Sequence, residues 1–316
     1  MLITPGTDVR TILLTGKETY ESFQTGCLYL KLNLSAKGYG AAVTKENGVD
    51  LFLLDQEPED VDLRSLSLAA RELRNPLSNL MIAADSLMRS AGEAPDLQEQ
   101  LARLNRSLHQ MHRLVNNMSD AGRSDYLTPA GIHDFSRLIH DIFEKIQTQL
   151  ENTNITLTYE GLSQSVNGLA NAGQLERAIL NIVSNSMKFM PEGGTIHARL
   201  TRQKNMLQLT IQDSGSGIGQ NILGNVFTRY QRQPGIEDSR YGIGLGMVLI
   251  RNAASDHGGT VLIDSPNGKG IRVTMTLSIR QDAPILKTPI TSPVTDNTQN
   301  VLTELSDILP WEFYKK

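Results

Sequence analysis

Asn181, Asn185 and Lys188 stand four and three residues apart in Asn181-Ile182-Val183-Ser184-Asn185-Ser186-Met187-Lys188-Phe189. That spacing puts all three on one face of a helix, with Ile179, Leu180, Ile182 and Val183 turned to a core. An amide oxygen is a neutral, hard ligand suited to one position around Mg²⁺ whose other ligands are phosphates and water. Asn185 is the candidate, and Lys188 can reach phosphate oxygens. Asp213-Ser214-Gly215-Ser216-Gly217-Ile218-Gly219 follows a strand-like run. Its glycines let backbone approach a flat ligand, and the Asp213 carboxylate can accept from an exocyclic amine such as that of adenine. Gly242-Ile243-Gly244-Leu245-Gly246 opens a helix, whose first amides favour phosphate. Taken singly, each feature has an ordinary reading as a turn, a tight connection or a pair of solvated helix polars. In this order on one α/β unit they point to nucleotide chemistry.

The elements that must position these residues follow from periodicity. Phe135, Leu138, Ile139, Ile142, Ile146 and Leu150 mark an amphipathic helix. Strand-like segments lie near 154–160, 195–202, 206–213, 259–265 and 270–279, with helices near 173–190 and 244–257. Helices interleaved with strands over residues 133–280 predict an α/β sandwich. Upstream, over 62–122, Leu66, Ala70, Leu73, Leu77, Leu80, Ala84 and Leu87 step by four and three. Leu97, Leu101, Leu104, Leu108, Met111, Val115 and Met118 repeat the stepping after Gly92 and Pro95. This is an antiparallel αα-hairpin. One apolar stripe per helix buries little alone, whereas a four-helix bundle in a homodimer buries both stripes. The alternative is a helix pair packed on the C-terminal unit. Residues 123–132 read as a linker. Residues 1–60 read as a small mixed unit, sensor-like or a cap, with strands at 27–34 and 49–54 and turns at Gly38, Gly40 and Gly48. Residues 281–316 form a tail whose end has the apolar spacing of a docking helix. The fold class expected is α+β.

Residues 62–279 resemble the catalytic core of bacterial sensor histidine kinases. The hairpin is similar to their dimerisation and phosphotransfer domain. The α/β unit is similar to their ATPase domain, shared with gyrase, the Hsp90 chaperone and the MutL repair protein. The resemblance also takes in the phenylalanine box Val226-Phe227-Thr228-Arg229-Tyr230-Gln231-Arg232. It implies ATP and Mg²⁺ as cofactors, Asn185 as the metal ligand and Asp213 as the adenine reader. Asn181 and Lys188 complete the asparagine box. Gly215, Gly217, Gly219, Gly242, Gly244, Leu245 and Gly246 shape the pocket, 231–241 form a lid, and Arg232 and Arg240 are candidate phosphate contacts. The implied partners are a response regulator receiver domain and a second kinase chain, as homodimer or heterodimer.

One departure carries consequence. The family's acceptor motif reads His-Glu-Leu-Arg-Thr/Asn-Pro-Leu, and this chain reads Arg71-Glu72-Leu73-Arg74-Asn75-Pro76-Leu77. Imidazole has a lone pair with which to attack a phosphoryl group, whereas guanidinium stays protonated and has donors only. Autophosphorylation at Arg71 is therefore chemically implausible. None of His109, His112, His133, His140, His197 and His257 has the acceptor context. Glu72 and Asn75 match the family positions that assist phosphotransfer and orient the water that dephosphorylates a regulator. Three functions stay open: a kinase-like signalling protein acting as phosphatase, heterodimer partner or scaffold; a dimeric adaptor with a vestigial ATP site; and a serine kinase of the anti-sigma type or a gyrase-type ATPase. Asn181 argues against the last pair, because hydrolysing relatives carry a glutamate there.

Composition sets the outer bounds. The 316 residues suffice for two or three domains. A net charge of −4 gives no case for nucleic-acid or anionic-membrane binding. Cys27, the single cysteine, reads as a buried hydrophobe. No run approaches a membrane span, the N-terminus lacks a signal pattern, and a cytoplasmic protein is the expectation.

Overall fold

The computed structural model describes residues 8–34, 37–54, 60–90, 94–121, 131–219, 223, 226–227, 245–280 and 297–315. Its centre is an eight-stranded sheet in the order β3-β2-β1-β9-β10-β8-β7-β5. Here β1 is Cys27–Leu34, β2 Lys37–Glu46, β3 Val49–Leu54, β5 Ile155–Glu160, β7 Gly194–Gln203, β8 Met206–Asp213, β9 Val261–Asp264 and β10 Arg272–Ser278. All neighbours are antiparallel except β5 and β7. β4 (Gly131–Asp134) and β6 (Asn167–Ala170) form a separate two-stranded sheet.

The helices are α1 (Lys17–Ser22), α2 (Asp60–Ser90), α3 (Pro95–Ala121), α4 (Phe135–Leu150), α5 (Ala172–Lys188), α6 (Gly246–Asp256) and α7 (Asn297–Glu304). The apolar faces of α4, α5 and α6 enter the main core with Ile196, Leu209, Ile211, Val273 and Leu277. Caps define two of these helices. Asp134 accepts from the Ser136 amide at the start of α4, and Asn171 accepts from the Gln174 amide at the start of α5.

The first unit is not detached. β1 pairs with β9, with Cys27 opposite Ile263, so the N-terminal strands extend the sandwich's own sheet. Strand alternation then gives β1 two cores. Cys27 and Tyr29 point into the main core, while Leu28, Leu30 and Leu32 pack with Ile12, Tyr20, Phe23 and Val43. Gly38 and Gly40, expected as turns, lie inside β2. Gly48 does turn, at φ 77°. Of the expected linker, residues 131–132 belong to β4 and the preceding eight lie outside the described residues.

α2 and α3 form the expected hairpin. Ala70, Leu77 and Ala84 pack with Leu108 and Val115, so one line of each stripe is buried. The other line is exposed, as Leu73, Leu80 and Leu87 on α2 and Leu97, Leu104 and Met111 on α3. The chain end folds back. α7, the 3₁₀ turn Trp311–Tyr314 and the residues between them bury Val301, Leu305, Leu309 and Tyr314 in the main core. Among the described residues, no helix is long and apolar enough to cross a membrane.

Candidate nucleotide site

The residues singled out in α5, β8 and α6 converge. Asp213 ends β8 and is 3 % exposed. Its Oδ1 accepts from the amides of Gly215 (3.0 Å) and Ile271 (2.9 Å), which fixes the carboxylate plane. Its Oδ2 is buried and has no hydrogen-bond donor among the described residues. A buried acceptor without a partner is costly, and an exocyclic amine would satisfy it. The glycines beside it make room. A Cβ on Gly215 would lie 2.9 Å from the Phe189 carbonyl oxygen. Gly217 has φ +78°, and a Cβ there would lie 2.6 Å from Ser265 Oγ and 2.7 Å from the Gly268 carbonyl oxygen. Gly219 lies in the irregular segment that follows.

Gly246 begins α6, with buried Leu245 at its N-cap. A Cβ on Gly246 would lie 3.1 Å from Asn181 Oδ1 and 3.8 Å from Asn185 Nδ2. The helix start therefore abuts the asparagine face of α5. Asn181 is 1 % exposed, and Asn185 is half-buried one turn on. Burial pulls the Lys188 ammonium below its usual range, and the charge of Arg113 adds to this. The donor set of one amide oxygen, one lysine and an open carboxylate oxygen fits an adenine nucleotide with its Mg²⁺. Gly242, Gly244, Arg232, Arg240 and the expected lid lie outside the described residues. Phe227, from the phenylalanine box, is 1 % exposed and stands 5.4 Å from the Tyr29 ring.

Sequence reasoning missed three residues at this site. Arg113, on α3, is 5 % exposed and donates to Ser184 Oγ at 3.0 Å and Asn181 Oδ1 at 3.4 Å. Glu304 is 3 % exposed and receives Arg113 Nε and Arg177 Nε, each at 3.2 Å. Asp307 receives Arg113 Nη1 at 2.6 Å and Lys188 Nζ at 3.3 Å. A signal was present in the sequence. Asn105, His109, Arg113 and Asn117 step by four on α3, opposite the apolar stripe, and all four are buried.

Arg71, Glu72 and Asn75 lie together on the exposed surface of α2, upstream of Pro76. The structure does not bring them into the cluster around Asn181. The histidines read as ordinary polar residues include three with side-chain hydrogen bonds. His109 Nδ1 is 2.8 Å from Thr303 Oγ1, His197 Nδ1 is 2.8 Å from Thr158 Oγ1, and His257 Nε2 accepts from the Asn171 amide at 3.0 Å.

Comparisons with known proteins agree with this architecture. Residues 64–127 match the family model described as "His Kinase A (phospho-acceptor) domain". Residues 170–281 match "Histidine kinase-, DNA gyrase B-, and HSP90-like ATPase". The chain is 26 % identical over 216 residues to sensor histidine kinase RppB of Synechocystis, covering 67 % of this chain and 48 % of that protein. It is 27 % identical over 243 residues to sensor histidine kinase WalK of Bacillus subtilis, covering 72 % of this chain and 38 % of that one. The chain thus spans half or less of the length of these relatives. The crystal structure of full-length ShkA in complex with AMPPNP superposes with a TM-score of 0.54 at 19 % identity, covering 70 % of this chain and 46 % of that one. Residues 64–127 and 170–281 thus match the two domain types of a histidine kinase catalytic core, and across both the chain is similar to sensor histidine kinases.

Proposed function

We propose that this chain binds Mg²⁺-ATP, dimerises through its hairpin and acts on the receiver domain of a response regulator. The nucleotide reading is carried by Asp213 Oδ2, a buried acceptor with no donor among the described residues, beside backbone that only glycine tolerates. In this reading Asp213 Oδ2 takes the adenine amino group, and Gly215 and Gly217 admit the ring. Asn185 offers its amide oxygen to Mg²⁺, and Lys188 holds a phosphate oxygen. When bound, Mg²⁺-ATP supplies a transferable phosphoryl group.

Arg71 stands in this reading where the family carries its acceptor histidine, and its guanidinium has no lone pair to offer. Self-phosphorylation is lost there. Glu72 and Asn75, exposed on the same helix face region, support regulator dephosphorylation instead. The Asn75 amide orients a water molecule, and Glu72 accepts its proton as the oxygen attacks phosphorus. The P–O bond to the regulator's aspartate breaks, leaving a carboxylate and inorganic phosphate. Arg71 attracts the anionic acyl phosphate. The dimer reading is supported by the exposed line Leu73, Leu80, Leu87, Leu97, Leu104 and Met111, a heptad seam that a second hairpin covers.

Incubation with γ-labelled ATP tests the assignment. The expected result is no acid-labile, base-stable label on the wild type and restored label in Arg71→His. Robust label on the wild type overturns the loss of autokinase activity. With a phosphorylated cognate regulator, the wild type should speed phosphate release and Asn75→Ala should not. Phosphorylation of a second kinase's histidine would instead assign the heterodimer role. Calorimetry that registers no heat with Mg²⁺-ATP would favour a non-enzymatic adaptor.

A further inference from the structure

The cluster around Asn181 has an unusual charge composition. Arg113, Arg177 and Lys188 bring three cations to the polar face of α5. Asp120 pairs with Arg177. Glu304 and Asp307 supply the remaining negative charge, and both come from the C-terminal segment. Among the described residues, three cations would face one carboxylate without that segment. A buried cationic excess of this kind is unfavourable unless an anion fills it.

The segment fills it in a specific manner. Asp307 Oδ2 sits on Lys188 Nζ at 3.3 Å, and Asn181 Nδ2 reaches Glu304 Oε2 at 3.5 Å. These are two of the three residues of the asparagine box. Arg113 bridges the two carboxylates and the α5 face at once. α3 holds the segment from the other side. Arg106 donates to the carbonyl oxygens of Ser306 (3.0 Å) and Asp307 (3.2 Å), and Gln110 to that of Ser306 (3.2 Å). The segment is thus tied to both the hairpin and the sandwich.

We propose that residues 297–315 are an internal stand-in for nucleotide phosphates. Glu304 and Asp307 occupy the phosphate-facing residues of α5, and Mg²⁺-ATP must displace them to bind. The inference rests on the nucleotide reading of the site. It adds a regulatory consequence: the doubly negative Mg²⁺-ATP replaces two carboxylates, and their departure removes the segment's bridge between α3 and the sandwich, leaving the direct bonds of Arg113 to Ser184 and Asn181 and of Arg177 to Asn117 and Asp120. Nucleotide binding and loosening of the hairpin become one event, because Arg113 serves both.

The test compares the full chain with Glu304→Gln/Asp307→Asn, using a fluorescent N-methylanthraniloyl ATP with Mg²⁺. The double variant should bind at least tenfold tighter. Arg106→Ala, which loosens the segment without touching the α5 face, should shift affinity in the same direction by less, and it keeps the test open if the double variant fails to fold. Hydrogen exchange gives a second readout. Mg²⁺-AMPPNP should accelerate exchange at the Leu305, Ile308 and Leu309 amides, which now donate within the segment. Equal affinity in all three chains, or tight binding with unchanged exchange there, overturns the proposal. Absence of binding in every chain overturns the nucleotide reading itself, and the proposal with it. Loss of binding when Asp213→Asn is added to the double variant shows that the signal comes from the purine pocket.

Discussion

Asp213 gives its two carboxylate oxygens different tasks. Oδ1 is committed to two backbone amides, and Oδ2 is open. Asp213→Asn preserves the first task and replaces the second acceptor with a donor. The expected outcome is a folded chain with nucleotide affinity reduced about 10–100-fold, the range for one charge-assisted hydrogen bond, read by calorimetry beside an unchanged circular dichroism spectrum. Gly217 and Gly268 make a second comparison at this scale. Both have positive φ, but a Cβ meets Ser265 and Gly268 atoms at Gly217 and nothing within 4 Å at Gly268. Gly268→Ala should cost only the conformational penalty of about 1–2 kcal/mol, and Gly217→Ala more, as measured by urea unfolding. Asn181, Asn185, Lys188 and Asp213 were legible because each motif sits within a few residues and its spacing fixes a helix face or a turn. Of Arg113, Glu304 and Asp307, only Arg113 left a trace, in the four-residue stepping of Asn105, His109, Arg113 and Asn117. Its contacts with the two acids join positions 191 and 194 apart, and nothing local in Glu304 or Asp307 distinguishes them from solvated acids.

At the scale of elements, the hairpin separates two kinds of leucine that look alike in the sequence. Leu77 is 3 % exposed and Leu80 is 54 % exposed. Leu77→Ala should destabilise the hairpin by about 2–5 kcal/mol. Leu80→Glu should leave the hairpin folded and turn a dimer into a monomer, as read by light scattering; a dimer surviving that change would remove the seam from the interface. α5 offers a pH test. Its N-cap residue Asn171 donates its own amide to His257 Nε2, while His257 Nδ1 donates to the Ala253 carbonyl oxygen at 2.7 Å. Burial holds His257 below the usual imidazole range, Arg280 adds to this, and the Asp256 charge and the bond to Ala253 oppose it. The unfolded chain then takes up the proton first as pH falls through about 6.5. Stability is present above that value and is lost below it, toward the folded-state pKa. Wild-type Tm should therefore fall more steeply between pH 7.5 and 5.5 than that of His257→Gln. Long periodic elements were legible, as α4 and the paired hairpin helices show. β4 and β6, at four residues each, are too short for alternation to register. Gly38 and Gly40 misled because pairing with β1 overrides the local preference of glycine for turns.

For the molecule as a whole, the decisive junction is β1 against β9. Cys27-Leu28-Tyr29-Leu30 is buried on both faces, which its continuous apolar run allows. That run marks a covered strand, but no property of it names a partner more than 230 residues away, so the sequence suggested an appended unit. The contacts show one body. The Tyr29 ring packs 5.4 Å from Phe227 and lies 4.9 Å from the Arg251 guanidinium, which donates to the Phe227 carbonyl oxygen at 3.2 Å. Leu30, on the opposite face of the same strand, belongs to the N-terminal cluster. Two substitutions one residue apart therefore probe two cores. Tyr29→Ala should cost about 3–5 kcal/mol and Leu30→Ala about 2–5 kcal/mol, as large-to-small changes at buried positions. Because β1 hydrogen-bonds into the shared sheet, each should lower the same calorimetric transition of the sandwich. If residues 8–54 unfolded on their own, Leu30→Ala would move an early transition and leave the sandwich transition, read by near-ultraviolet signal or nucleotide protection, where it stood. A common shift is the result that the strand order requires.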